Sequence, residues 1–434
     1  MYYKKTIQLL KWITPALAAA FFVYYPITDS DIFWHLVSGK EMIHQKAFFF
    51  ADPFSYTTPQ SSTWINLHWF FQLCMYGVYS IGRWSLLLIV KALFLFASTL
   101  LLFKSVRTRR FPAIELTVFL AVLYVFRYLV PMRPVIFTLL FISLYFYFLE
   151  RFCQTKKPLY IFILVPVQIL WINSQGLFYL GPIMCGCFCL GEILNSYLSI
   201  NASDLFFYRP KLNKKNFVFL FIMSFVLFAV SVINPYGIKS LTFPLRLFLQ
   251  ISPSLKNIYS SNIIENMPLL SMIKTQYMHY VFVFFAINTL AVFTFALSCK
   301  HVRFSHLLCV ISFLIPAYMA QRNLVLYLFA LVPFVLWNTS HITNTKLLQN
   351  KKLYKIIVSA IALLPAFCFV QHFGFIKSCS KTLAPFTHPV NSTNYLLKNK
   401  PNGNIFNADR YGGYLLWNLY PNNKVFIDTR LSLR

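Results

Sequence analysis

The sequence predicts an all-α polytopic membrane protein of about eleven transmembrane helices, closed by a small external α/β segment. Three observations lead there. Of 434 residues 58% are hydrophobic and only 12% charged, with mean hydropathy +0.61; a soluble domain carries about 25% charged residues. The formal charge is +28, from 39 Lys and Arg against 11 Asp and Glu. The basic residues stand between long apolar runs, whereas a nucleic-acid binder gathers them on a polar domain. The 48 Phe and 26 Tyr exclude a solvated, disordered chain.

A bilayer core about 30 Å thick takes roughly 20 apolar residues as helix. The eleven stretches are Ile7–Pro26, Ser85–Phe103, Phe111–Val130, Pro134–Leu149, Pro158–Ile172, Leu177–Leu198, Phe217–Ile233, Tyr277–Leu297, Phe304–Met319, Leu324–Trp337 and Tyr354–Val370. The first follows Lys4 and Lys5 and stays apolar through Tyr25, longer than a secretory signal core, so it reads as an uncleaved anchor. From the second stretch onward the charge supplies a test. With the N-terminus inside, cytoplasmic loops hold Lys104, Arg107, Arg109, Arg110, Lys156, Lys157, Arg209, Lys211, Lys214, Lys215, Lys346, Lys351 and Lys352. The longer external loops 27–84 and 234–276 hold far fewer bases for their length, as the positive-inside rule requires. This places the chain in a cytoplasmic (inner) membrane, with the region 1–370 membrane-embedded and the tail 371–434 external, or periplasmic. The tail reads as strand, turn at Gly412-Gly413, helix and strand-like Lys424–Asp428, then stops at Arg434. It is expected to be truncated or minimal. The nine cysteines show no disulfide framework or metal-ligand spacing.

Seven of the 11 carboxylates fall outside: Asp29, Asp31, Glu41, Asp52, Glu265, Asp409 and Asp428. Four of these lie in the first external loop, 27–83, which opens Thr28-Asp29-Ser30-Asp31-Ile32-Phe33-Trp34-His35. An Asp-x-Asp pair puts two carboxylates within one turn at the membrane surface. It suits accepting a proton from a nucleophile, or holding a divalent cation (Mg or Mn) that faces a phosphate. The plainer alternative is that one Asp caps a helix running to about Gln45. Further on come Asp52-Pro53-Phe54-Ser55-Tyr56-Thr57 and Trp64-Ile65-Asn66-Leu67-His68-Trp69, the latter opening an aromatic-rich interfacial helix to about Tyr79. His35 and His68 are titratable groups near the acids; each alone reads equally as a packing residue.

The run Asp29-x-Asp31-x-x-Trp34-His35-Leu36-x-x-Gly39, then Asp52-Pro53-Phe54-Ser55-Tyr56-Thr57 and Trp64-x-x-x-His68-Trp69, resembles a family of bacterial polytopic proteins. That family is similar to glycosyltransferases of the GT-C fold, which include protein O-mannosyltransferases, aminoarabinose transferases and oligosaccharyltransferases. Met132-Arg133-Pro134, Trp171-Ile172-Asn173, Asn234-Pro235-Tyr236-Gly237, Phe406–Tyr414 and Val425–Arg430 extend the resemblance over nearly the whole length. The chain departs at Gln175-Gly176, where the family has His-Gly, and at Thr429, where it has Gly. The resemblance implies a GT-C-like membrane domain and a polyprenyl-phosphate-linked sugar as donor. It makes Asp29, Asp31 and His35 the candidate catalytic residues, with Asp29 and Asp31 also the candidate metal ligands. Asp52, His68, Arg133, Arg246 and Arg322 become the candidate substrate-binding residues, the arginines because a guanidinium fork suits phosphate.

The partners so implied are the lipid-linked sugar and the bilayer, not nucleic acid. The activity so implied is transfer of that sugar to a lipid, glycan or protein on the external face. A multi-pass transporter or flippase is the alternative, pointed to by Lys91 within a span. A non-enzymatic partner in envelope glycan assembly is a further one.

Overall fold

The computed structural model describes residues 2–59, 63–106, 108, 112–202, 205, 208–251, 263–342, 351–379, 382–384 and 387–430. The helices in chain order are α1 (Tyr2–Phe22), α2 (Asp31–Gln45), α3 (Trp69–Ser105), α4 (Ala113–Phe126), α5 (Val135–Thr155), α6 (Leu159–Ile172), α7 (Leu180–Asn201), α8 (Lys214–Ala229), α9 (Lys239–Ile251), α10 (Met278–Ser298), α11 (Phe304–Met319), α12 (Leu324–His341), α13 (Lys351–Ser378), α14 (Val390–Asn399) and α15 (Asp409–Leu419).

Each predicted apolar stretch overlaps a helix, though several run past its ends, as Ile7–Pro26 does past Phe22. Among the described residues, six helical segments are long and apolar enough to cross a membrane: Trp69–Ser105, Val135–Thr155, Gly176–Asn201, Lys214–Val232, Met278–His301 and Gln321–His341. Trp12–Phe22, Leu159–Ile172 and Phe304–Met319 are apolar but shorter. The chain is thus a helical membrane protein. Pro112, Pro134 and Pro158 stand at the starts of α4, α5 and α6, where a missing N–H costs nothing.

Burial sorts the helices. Every residue of α12 from Leu324 to Pro333 is buried, so α12 runs through the centre of the bundle. In α8 only Leu220, Met223 and Leu227 are buried, a single stripe at helical spacing. The rest of that apolar helix is left for lipid.

The aromatic-rich interfacial helix begins at Trp69 rather than Trp64, and it runs on into the second span. The two are joined at Gly82 and Arg83, where Arg83 adopts φ 54° and breaks the helical path. Toward the far end of α5, about 22 Å from its start at 1.5 Å per residue, Arg303 joins Glu150 of α5 to Glu192 of α7. Its Nη1 donates to Glu150, its Nε lies 2.8 Å from Glu192, and His306 Nε2 is 2.6 Å from Glu150. All four side chains are buried. Glu192 therefore belongs to an ion network that staples α5, α7 and α11.

The tail corrects one expectation. Among the described residues it holds no strand, only the end of α13, the helices α14 and α15, and single-residue bridges: Ile27 with Leu383, Ser55 with Val425, and Ile405 with Val425. Val425 pairs on both sides, but Lys424–Asp428 is too short and too surrounded by side-chain hydrogen bonds to extend a ladder. Gly412 and Gly413 lie inside α15, not in a turn, because α15 packs closely. A Cβ on Gly412 would come 2.2 Å from the Ile427 carbonyl oxygen, and one on Gly413 would come 2.6 Å from that of Ser30.

Candidate active site

Asp29 and Asp31, but not Glu41 or Asp52, meet Arg133 and Glu265 at one end of the bundle. Asp29 precedes α2 and accepts the backbone N–H of Asp31 at 3.3 Å. Arg133 comes from the bend before α5, where its N–H bonds to the carbonyl of Pro131. Its guanidinium forks onto Asp29, with Nε to Oδ2 and Nη2 to Oδ1 both 2.6 Å. Nε also lies 3.1 Å from Asp31 Oδ2, and Nη1 lies 2.7 Å from Glu265 Oε2. Three carboxylates thus surround one guanidinium. Glu265 is the outermost, its side chain 41% exposed against 8% for Asp29 and 13% for Asp31.

Asp31 holds its proton more tightly than a free carboxylate. Burial pushes it up to about 7, aided by the Asp29 and Glu265 charges and opposed by Arg133 and by the hydroxyl of Thr429. That hydroxyl donates to Asp31 Oδ1. Asp31 is therefore poised to exchange a proton near neutral pH.

Two further cations border the group. Arg322 is exposed at the turn between α11 and α12, close enough to feel Glu265, Arg133 and Asp31. The turn is tied to the Glu265 segment by the Gln321 N–H, which donates to the Met267 carbonyl at 3.1 Å. Arg322 forms no ion pair or hydrogen bond among the described residues. Lys91 is buried on α3, its ammonium 3.7 Å from the centre of the Tyr25 ring and within reach of the Asp29 charge.

The other predicted residues lie apart from this centre. His35 sits one turn along α2 from Asp31 but hydrogen-bonds to neither acid. Its ring lies 3.7 Å from that of Trp34 and 5.6 Å, edge-on, from that of His68, and its Nδ1 is 3.5 Å from Gln72 Nε2. Burial holds it neutral, with His68 and Arg133 adding to the effect. His68 is also lowered by burial, against a 3.0 Å contact with the Ser174 carbonyl. Both rings serve the packing of α2 on α3.

Asp52 faces the tail. It accepts from the N–H groups of Phe54 and Ser55 at 3.0 and 3.2 Å, from Thr58 at 3.1 Å and from Arg430 at 2.8 Å, and its side chain is fully enclosed. Arg246 is exposed on α9 and is paired with none of these groups.

Glu265, Thr429 and Arg430 stand outside the candidate site residues read from the chain. The scarcity of external carboxylates was a usable signal for Glu265. Thr429 stands out only as a departure from the family pattern, and it reaches Asp31 across 398 positions.

The three carboxylates offer the hard oxygens a divalent ion prefers. As placed, however, they turn onto Arg133. Among the described residues no three His, Cys, Asp or Glu side chains are arranged to hold a metal. A divalent ion would need the position the guanidinium fills, so no step is routed through one.

No family model and no curated protein matches the chain. Solved structures do. One is the archaeal oligosaccharyltransferase AglB from Archaeoglobus fulgidus in complex with an inhibitory peptide and a dolichol-phosphate. It superposes with TM-score 0.61 at 11% identity, covering 99% of this chain and 65% of that one. The apo form of an oligosaccharyltransferase from the same organism gives TM-score 0.58 at 12% identity, covering 99% and 66%. A complex of that enzyme with Zn and sulfate gives 0.57 at 12%, covering 96% and 62%. The chain thus spans slightly under two thirds of the length of each. It shares their fold, and the GT-C-like architecture implied by the sequence resemblance stands.

Proposed function

We propose that this chain is a membrane glycosyltransferase. It moves a sugar from a polyprenyl-phosphate donor to a lipid, glycan or protein acceptor on the external face of a cytoplasmic membrane. The N-terminus lies in the cytoplasm and the tail outside. The observation that carries this reading is the acid centre itself, in which Asp31, titrating near 7, feels the charge of Arg322, a cation with no ion pair among the described residues, on a fold shared with oligosaccharyltransferases.

Asp31 accepts the proton of the acceptor nucleophile as that atom bonds to the anomeric carbon. The bond from that carbon to the phosphate oxygen breaks, and polyprenyl phosphate leaves with the electron pair. Arg322 is the cation free to meet the phosphate, as a guanidinium does well. Arg133 is committed to Asp29, Asp31 and Glu265. Its part is to hold the acids together and keep Asp31 from rising further. The dolichol-phosphate bound in one AglB structure supports a lipid phosphate as ligand.

The test is label transfer from radiolabelled polyprenyl-phosphate sugars in membranes. Asp31→Asn is expected to abolish transfer, and Arg322→Ala to raise the donor KM about tenfold, the scale of one lost charge-assisted hydrogen bond. Transfer that survives both Asp29→Asn and Asp31→Asn would refute the assignment.

The buried Lys91 is the one observation favouring transport instead. Movement of a labelled lipid across proteoliposomes, lost in Lys91→Met and kept in Asp31→Asn, would establish that reading.

A further inference from the structure

We infer that the tail segment 405–430 is a clamp that completes the candidate site, with Thr429 as the residue that positions Asp31. This rests on the glycosyl-transfer reading above. Both oxygens of Asp31 are held, each by a different part of the chain. Thr429 donates to Oδ1, and Arg133 Nε lies 3.1 Å from Oδ2. A short carboxylate at a helix start otherwise has free rotamers, and fixing it in advance is what a proton acceptor needs.

The placement of Thr429 is itself over-determined. Its neighbour Arg430 is fully buried and forks onto Asp428 at 2.6 to 3.0 Å. It then reaches Asp52 at 2.8 Å and Ser55 at 3.3 Å, so the tail is bolted to the first external loop. The guanidinium lies 5.0 Å from the Phe54 ring centre and 4.8 Å from that of Trp64. A second contact reaches the backbone of the acid motif. α15 meets the backbone of Ser30, the residue between Asp29 and Asp31, through Gly413. The neighbouring Gly412 seats α15 against Ile427 and Asp428. The acid motif is therefore held by α15 and by the segment 428–430 together.

Two measurements test this. The first is donor-label transfer by Thr429→Val and Thr429→Ser. Loss of the hydroxyl in Thr429→Val is expected to lower kcat about tenfold with donor KM unchanged, as for one hydrogen bond to a charged group. Thr429→Ser, which keeps the hydroxyl, is expected to restore the rate. Transfer by Thr429→Val at the wild-type rate, or an equal loss in Thr429→Ser, overturns the positioning role.

The second measurement does not depend on transfer. Oxidation of membranes carrying Ser55→Cys with Val425→Cys is expected to join the two, since these residues bridge. Absence of that cross-link overturns the clamp. If the wild type transfers no label, or Asp31→Asn transfers as well as wild type, the glycosyl-transfer reading fails, and the cross-link alone then decides the clamp.

Discussion

Asp31 and Asp52 share one external loop and titrate in opposite directions. Burial raises Asp31 to about 7, from an ordinary 3.8. Its fold contribution is therefore fully present below the unfolded value and is lost as pH rises from about 4 to about 7. At pH 8 the ionised Asp31 opposes folding, so Asp31→Asn is expected to raise the thermal midpoint in detergent while removing transfer. An unchanged midpoint at both pH 5 and pH 8 would contradict the buried, strained acid. The wild-type rate is expected to fall with a single acid limb near pH 7, because the base must be ionised. Asp52 behaves in the reverse sense. Burial opposes its ionisation, but the charge and hydrogen bonds of Arg430 outweigh it and leave the pKa below 3.8. Its stabilisation is present above the unfolded value and is lost only as pH falls through the lower folded one. Asp52→Asn is expected to loosen the tail at neutral pH, seen as faster proteolysis of 387–430. The sequence marked both aspartates but could not separate them, because the two environments differ through Thr429 and Arg430, which lie hundreds of positions away.

At the scale of elements, helices were legible and their joints were not. Apolar runs starting at Phe111, Pro134 and Pro158 announced α4, α5 and α6. The fusion of the interfacial helix with the second span was hidden, since Gly82 and Arg83 look like an ordinary loop. The staple at the far end of the bundle was hidden too. Glu150, Glu192 and Arg303 are separated in sequence and meet only because α5, α7 and α11 pack side by side. Removing one partner of a buried ion pair leaves an uncompensated charge, a loss of about 3–5 kcal/mol. Arg303→Gln strands two buried carboxylates, so a loss of that order is expected in thermal or denaturant unfolding. A change below about 1 kcal/mol, the range of an exposed pair, would show that water reaches the network. Gly413 makes the matching test at the outer end. A Cβ there meets the Ser30 carbonyl at 2.6 Å, and Gly413→Ala is expected to lower the yield of the cross-link between positions 55 and 425.

For the whole molecule, the tail contacts constrain the topology without any count of spans. Ile27 bridges Leu383, and Ser55 bridges Val425, so the first external loop and the tail lie on one side of the bundle. The chain between 28 and 383 must then cross the membrane an even number of times. Ten of the eleven predicted stretches lie in that interval, and so do all six of the long apolar helices. Both counts are even, and the bridges then require the shorter helices of that interval to cross fully in even number or not at all. The topology proposed from the basic residues puts both the loop and the tail on the external side. Single cysteines at Gln45 and Asn422, both exposed, test the two statements at once in a background cleared of the native thiols. A membrane-impermeant maleimide applied to intact cells is expected to label both. Labelling of one alone would break the even count, and with it every contact that holds Thr429 on Asp31. Labelling of neither would keep the contacts but turn the acid centre toward the cytoplasm, where a nucleotide-linked sugar rather than a lipid-linked one would be within reach.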